Sequence, residues 1–171
     1  MNASETISGV RTAWLCAPLF LAPLLLAGCA TSAKAGDGLP PPEPLRVSDI
    51  SLHLFRTDSG TLSDDLGNEF SGWNTIIGEG AAGGPAEDML VSVHLKSDGH
   101  YFIADRPLTI TVSGEEGVLA SRTVDNFLTS ESGDSAVPLW VPEIGCAGPI
   151  TIAATLDGLT VSETANFACG E

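Results

Sequence analysis

Residues 150–167 read ITIAATLDGLTVSETANF, two runs of alternating apolar and polar residues joined by Asp157-Gly158. An Asp-Gly pair between two such runs is typical of a β-hairpin, because a type I′ turn needs positive φ at both central residues. A two-residue loop also fixes the strand register, so Leu156 is expected to face Leu159. The polar face of this hairpin is expected to carry Thr151, Thr155, Thr160 and Thr164.

Two cysteines continue this register beyond the ends of the hairpin. Cys146 and Cys169 fall opposite each other on its apolar face, so we predict a disulfide between them. A metal site is the alternative, but no Cys-x-x-Cys pair or histidine cluster accompanies the two thiols. Glu163 is an exception on the apolar face, and we expect a local bulge or an exposed sheet end there.

Five further stretches upstream have the alternation and punctuation of short strands, and no stretch has a helical period of apolar residues. They are residues 50–54, 89–96, 108–112, 118–124 and 137–142. The predicted fold class is therefore all-β, an antiparallel two-sheet β-sandwich of about seven strands, immunoglobulin-like or fibronectin-III-like. A transthyretin-like or jelly-roll arrangement is the alternative. The cysteine pair departs from the antibody pattern because it joins neighbouring strands instead of two sheets.

The beginning of the chain carries a second informative pattern. Leu26-Ala27-Gly28-Cys29 follows an apolar run over residues 13–26 that contains Pro18 and Pro23. This run is shorter than the ~20 residues of a membrane-spanning helix, and its prolines would break such a helix. The pattern resembles the lipobox of bacterial lipoprotein signal peptides. A transmembrane anchor and a plain cleaved signal peptide are the alternatives.

The lipobox resemblance implies a signal peptide over residues 1–28 and lipid attachment at Cys29, with more than one acyl chain for stable membrane binding. Ala30 stands where an aspartate often signals inner-membrane retention in that class, so the expected location is the cell envelope, lipid-anchored at the outer membrane. Residues 29–45 are expected to form a Pro-rich flexible tether and residues 46–171 the β-sandwich domain. That compartment is oxidising, which also favours the predicted disulfide.

The negative net charge of the chain argues against polyanionic partners. The chain has 22 acidic and 7 basic residues, for a net charge of −15. Nucleic acid and anionic lipid surfaces are poor partners for such a field. The acids are spread along the chain, as on a solvated surface, and binding of a cation or a basic protein is a minor alternative.

Residues 57–85 form a long interruption between predicted strands, and long loops inside compact domains often carry function. Trp73, Ile76 and Ile77 are the candidate protein-binding residues, an apolar patch presented by glycines. The alternative is that they cap an open end of the sandwich or make an extra strand. The G-x-G-x-x-G match at residues 78–83 is followed by Gly-Pro instead of a helix, which argues against dinucleotide binding.

Cation and catalytic sites have weaker support. The acidic stretch of residues 58–69 offers oxygens for calcium but lacks the ordered spacing of an EF-hand loop. His53, His94 and His100 are expected on the surface, although two of them could meet on neighbouring strands and hold copper or zinc. No spacing in the sequence enforces a metal site, and no G-x-S-x-G motif is present, so we predict no metal, no catalytic residue and no cofactor.

These observations predict a lipid-anchored envelope protein without enzymatic activity, with a protein-interaction, adhesion or accessory-subunit role. Its expected partners are the membrane, through the N-terminal lipid, and another envelope protein. A cation- or small-ligand-binding envelope lipoprotein is the alternative.

Overall fold

The computed structural model describes residues 45–170, so the predicted signal peptide, Cys29 and the tether before Leu45 lie outside the described residues. In this part of the chain, seven strands have seven or more residues. They are β1 (Arg46–Arg56), β4 (Ala86–Lys96), β6 (Leu108–Gly114), β7 (Gly117–Val124), β9 (Asp134–Val141), β10 (Gly148–Leu156) and β11 (Leu159–Ala168). Four shorter strands are β2 (Thr61–Leu62), β3 (Phe70–Trp73), β5 (Phe102–Ile103) and β8 (Phe127–Leu128).

Three short 3₁₀ turns complete the secondary structure of this part of the chain: Thr75–Ile77, Gly80–Ala82 and Ile144–Cys146. Between residues 45 and 170 there is no helix of the length and hydropathy needed to cross a membrane.

The strands form two main sheets. Sheet A has the order β2-β1-β4-β9 and sheet B the order β3-β11-β10-β6-β7, while β5 and β8 make a separate two-stranded sheet. Counting only the long strands, the first, second and fifth pair in sheet A and the other four in sheet B. This division is that of a fibronectin-III-like sandwich, and it confirms the predicted fold class. One pairing departs from the antiparallel prediction, because β3 runs parallel to β11.

The core lies between the two sheets and follows from strict alternation. In β4 the residues Met89, Val91, Val93 and Leu95 are buried, and their neighbours in sequence are partly exposed. Ile150, Ile152, Ala154 and Leu156 repeat this pattern in β10. Both sets belong to one continuous cluster of buried apolar side chains, as expected when two half-apolar sheets pack face to face.

The β10–β11 hairpin has the predicted register from Leu156 opposite Leu159 to Gly148 opposite Phe167. Asp157 and Gly158 have φ values of 51° and 78°, both positive as a type I′ turn requires. The prediction of a bulge at Glu163 is wrong, because Glu163 pairs in register with Ile152. An exposed sheet end does not explain this residue either, since Glu163 is buried.

The predicted disulfide between Cys146 and Cys169 is present, with the two Cα atoms 5.3 Å apart. It joins the 3₁₀ turn before β10 to the residue that follows β11, and so closes the end of the hairpin opposite the Asp-Gly turn. A loop closed over a sequence separation of 23 residues contributes about 3 kcal/mol to stability in the chain-entropy description.

Candidate interaction surface

The three predicted protein-binding residues lie on β3 and the 3₁₀ turn after it. Trp73, Ile76 and Ile77 are 50%, 39% and 64% exposed, and we call them the end patch. The turn between them is fixed by Asn74, whose backbone is left-handed and whose side chain donates to Glu79 Oε2 and accepts from the Gly170 N–H. The buried Thr75 hydroxyl donates to the Gly145 carbonyl oxygen.

Glycines let two members of the end patch pack closely on the disulfide-closed end of the sandwich. A Cβ atom on Gly170 would lie 1.9 Å from Trp73 Cζ2, and one on Gly145 would lie 2.7 Å from Ile76 Cγ2. Trp73 and Ile76 therefore cover the backbone on one side and face solvent on the other, as the capping alternative expects. Ile77 is the most exposed of the three. Whether the patch binds a protein stays a prediction.

The end patch lies at the opposite end of the domain from the point where the chain enters it. Leu45 is buried, and it borders the same shallow depression as Leu156 and Asp157 of the hairpin turn. From there β1 runs 11 residues, about 33 Å at strand rise, to Arg56. The Arg56 guanidinium donates to the Ala82 carbonyl oxygen, just after the end patch in sequence.

The free edges of the long strands β7 and β9 are blocked against strand addition. Pro138 in β9 lacks a backbone donor, and the Arg122 guanidinium from β7 donates to its carbonyl oxygen. Arg122 stands opposite Ile110, on the inward-facing side of β7. An inward-pointing charge and an edge proline are two devices that discourage edge-to-edge pairing. A partner is therefore expected to use an end or a face of the sandwich.

The acidic stretch of residues 58–69 is used for structure. Asp65 Oδ1 accepts the N–H groups of Leu52 at 3.0 Å and Gly67 at 3.2 Å, which fastens this stretch along the open edge of β1. Within residues 45–170, no three His, Cys, Asp or Glu side chains come together in a group that could hold a metal ion. Among the described residues, the carboxylates considered as calcium ligands are thus not brought together.

Glu163 is a buried carboxyl group with an unpartnered oxygen. It is 9% exposed, and its Oε2 is the one buried side-chain oxygen or nitrogen between residues 45 and 170 without a hydrogen-bond partner. Burial raises its pKa, the carboxylates of Asp49 and Asp65 raise it further, and the nearby Asn68 side-chain amide opposes them. Sequence reasoning identified this position as unusual but could not foresee its burial.

The histidines do not form a pair. His53 lies opposite Leu90 and His94 opposite Asp49, so they are separated by four residues along β4, about 13 Å. Each has a local partner instead, since His53 Nδ1 lies 3.0 Å from the Ser63 carbonyl oxygen and His94 Nε2 lies 2.9 Å from Ser51 Oγ. Among the described residues no carboxylate is hydrogen-bonded to His94, so this Ser–His pair lacks the third member of a triad.

The glycine-rich stretch after the end patch does not form a nucleotide loop. Gly80–Ala82 is a single 3₁₀ turn, and the chain then passes through Gly83 and Gly84 into β4. A dinucleotide site needs a longer helix whose N-terminus faces the pyrophosphate. Positive φ at Gly78, Gly80 and Gly83 accounts for all three glycines of the motif as turn residues.

No protein-family model matches the chain, and no curated protein sequence matches it. Two solved structures that match the chain do so at low similarity. The C-terminal domain of wzt is 9% identical with a TM-score of 0.38, over 78% of this chain and 83% of that one. The ligand binding region of serine-glutamate repeat protein A of Enterococcus faecium is 7% identical with a TM-score of 0.30, over 72% of this chain and 99% of that one. Similarity this low carries no inference about function.

Proposed function

We propose that this protein is a lipid-anchored protein of the cell envelope that acts by binding another envelope protein and not by catalysis. The observation that carries the proposal is the position of the end patch. Trp73, Ile76 and Ile77 are exposed at the end of the sandwich furthest from Leu45, where the chain arrives from the predicted tether. A domain tethered through Leu45 leaves that patch uncovered at its far end.

The end patch has the chemistry of a binding surface. Tryptophan is enriched among residues that dominate binding energy, and its large ring buries much area for little loss of side-chain entropy. The disulfide, the Asn74 hydrogen bonds and the close glycine contacts hold the patch in one conformation before binding. Such preorganisation lowers the entropy that a complex would otherwise lose.

The test is site-specific photo-crosslinking in intact cells that make the full chain. A photoreactive residue replaces Ile77 or, as the matched control, Leu62, an exposed aliphatic residue of β2 that lies outside the patch. We expect one crosslinked envelope protein from position 77 and none from position 62. With that protein purified, Ile77→Ala should weaken binding at least about tenfold, and Leu62→Ala should not. Equal crosslinking at both positions, or unchanged affinity of a normally folded Ile77→Ala protein, would refute the proposal.

The lipid anchor is tested separately. Cys29→Ser in the full chain should move the protein from the salt-washed membrane fraction to the soluble fraction. Membrane retention of this variant would contradict lipid attachment at Cys29. It would not change the conclusion drawn from crosslinking, which tests partner binding alone.

A further inference from the structure

The outer face of sheet B is an ordered array of hydroxyl groups. Cross-strand pairing aligns its side chains in three rows over β11, β10, β6 and β7. The rows are Thr160-Thr155-Thr109-Thr123, Ser162-Ala153-Thr111-Ser121 and Thr164-Thr151-Ser113-Val118. Ten of the twelve positions carry a hydroxyl. We call the twelve positions together the hydroxyl face. Neighbouring strands set the side chains about 4.8 Å apart, and steps along a strand about 6.7 Å apart.

This face carries no charge on a strongly acidic chain. None of its twelve positions is charged, although the protein has 22 acidic and 7 basic residues. The outer face of sheet A differs, since Lys96 and Asp134 form an ion pair there and Asp49 lies opposite His94. Neutrality is thus a property of one sheet face and not of sandwich exteriors in this protein.

The hydroxyls are arranged to donate and to accept. Thr155 Oγ1 lies 2.8 Å from Thr160 Oγ1, Thr109 Oγ1 3.1 Å from Thr123 Oγ1, and Thr111 Oγ1 3.3 Å from Ser121 Oγ. Each hydroxyl has one hydrogen to donate and two lone pairs, so the Thr155–Thr160 and Thr109–Thr123 pairs can still donate and accept. Ser121 donates its hydrogen to the Ile110 carbonyl oxygen, so its pair with Thr111 can only accept. The Thr151 and Thr164 side chains, paired across the hairpin, stand exposed in the third row.

A shallow depression of about 360 Å³ lies where the hydroxyl face meets β3. Its polar lining residues include Ser71, Thr151, Thr164 and Asn166. An asparagine amide offers both donors and an acceptor. Ligand sites are usually concave with a few convergent polar groups, and this depression provides both features at the edge of the flat array. Glu69 is its one charged lining residue.

These features select one class of ligand. A nucleic acid, an anionic lipid surface or a basic protein would need charged partners that the face lacks. Protein partners generally bind through buried Trp, Tyr or Arg anchors, and the twelve positions contain none. We therefore propose that the hydroxyl face binds a neutral polysaccharide, whose sugar hydroxyls donate and accept hydrogen bonds along the threonine rows. This site is separate from the end patch and does not rest on the function proposed above.

The test is affinity electrophoresis of the full, detergent-solubilised chain in native gels containing dextran, mannan or galactan. Dextran sulfate is the charged counterpart of dextran. We expect retardation by at least one neutral polysaccharide and none by dextran sulfate. The variant Thr151→Val with Thr164→Val removes two hydroxyls but keeps β-branched side chains, and it should raise the dissociation constant at least about tenfold.

The matched control is Ser59→Ala with Thr61→Val, which removes an exposed hydroxyl pair 2.9 Å apart at the distant β2 turn. It should bind as the wild type does. The proposal is overturned if no neutral polysaccharide retards the protein, if dextran sulfate retards it as strongly, or if the Thr151/Thr164 variant binds normally. Equal losses in both variants would also overturn it, because the hydroxyl face would then have no special role. Melting temperatures within about 2 °C of wild type establish that each variant is folded.

Discussion

Replacing Glu163 by glutamine should stabilise the protein at neutral pH. The charged carboxylate is buried with one oxygen unpartnered, and it lies near the carboxylates of Asp49 and Asp65. A buried polar group without a partner costs about 1–3 kcal/mol, and a charged one more. Glutamine keeps the shape and removes the charge, although its amide must itself be buried. A net gain of about 1 kcal/mol is the expected result, which raises the melting temperature by about 4 °C for a domain of this size.

The pH dependence gives the sharper test. Burial and the two neighbouring carboxylates raise the folded-state pKa of Glu163, so its carboxyl group binds a proton more readily in the folded than in the unfolded protein. Protonation of Glu163 therefore stabilises the fold. This stabilisation is complete below the ordinary glutamate pKa of 4.5 and is lost as pH rises through the raised folded-state pKa. The Glu163→Gln variant should therefore gain over the wild type at pH 7 and lose that advantage near pH 4.

Thermal unfolding followed by circular dichroism from pH 4 to pH 8 measures this difference. Glu87→Gln is the matched control, since Glu87 is an exposed glutamate in strand β4. Its melting temperature should follow the wild type at every pH. Two results would show that burial of the charge is not the dominant cost. One is a Glu163→Gln variant that melts at a lower temperature than the wild type at pH 7. The other is a difference in melting temperature between the two proteins that is the same at every pH.

Three further outcomes follow from the fold. Cys146→Ala with Cys169→Ala should lower the free energy of unfolding by about 3 kcal/mol in urea titrations, and an unchanged midpoint would show that the loop is ordered without the disulfide. Arg122→Thr, which frees the Pro138 carbonyl oxygen at the β9 edge, should increase self-association in light scattering, whereas a variant as monomeric as wild type would show that Pro138 suffices. Gly158→Ala should cost about 1 kcal/mol because its φ is 78°, and a neutral effect in the same titrations would contradict the type I′ turn.

Local turn chemistry made the C-terminal hairpin predictable. Asp157-Gly158 fixes the register of β10 and β11 by itself, and that register brings Cys146 opposite Cys169 without knowledge of any other strand. The alternation of β4 and β6 likewise shows which of their residues face the core. These inferences succeed because each depends on residues close together in sequence.

The short strands and the burial of Glu163 depend on contacts between distant residues. β3 has only four residues, and it is a strand because β11, far later in the chain, supplies its hydrogen-bond partners. Glu163 is buried because the stretch after β2 crosses from sheet A to sheet B beside it. In this stretch the Leu66 N–H donates to the Leu52 carbonyl oxygen of β1, and the Glu69 N–H donates to the Thr164 carbonyl oxygen of β11. No pattern within β11 contains that information.

The hydroxyl face shows the same division between what a strand encodes and what the sheet order adds. Alternation alone assigns Thr151 and Thr155 to the solvent side of β10. It cannot place Thr109 beside Thr155 or Thr123 beside Thr109, because β6 lies between β10 and β7 only in the assembled sheet. A threonine on an exposed strand face is ordinarily just a good strand former. Here three successive cross-strand pairs continue a row of threonines over four strands, and the row contains no charged residue. This continuity makes the face a candidate site, which a single exposed threonine would not be.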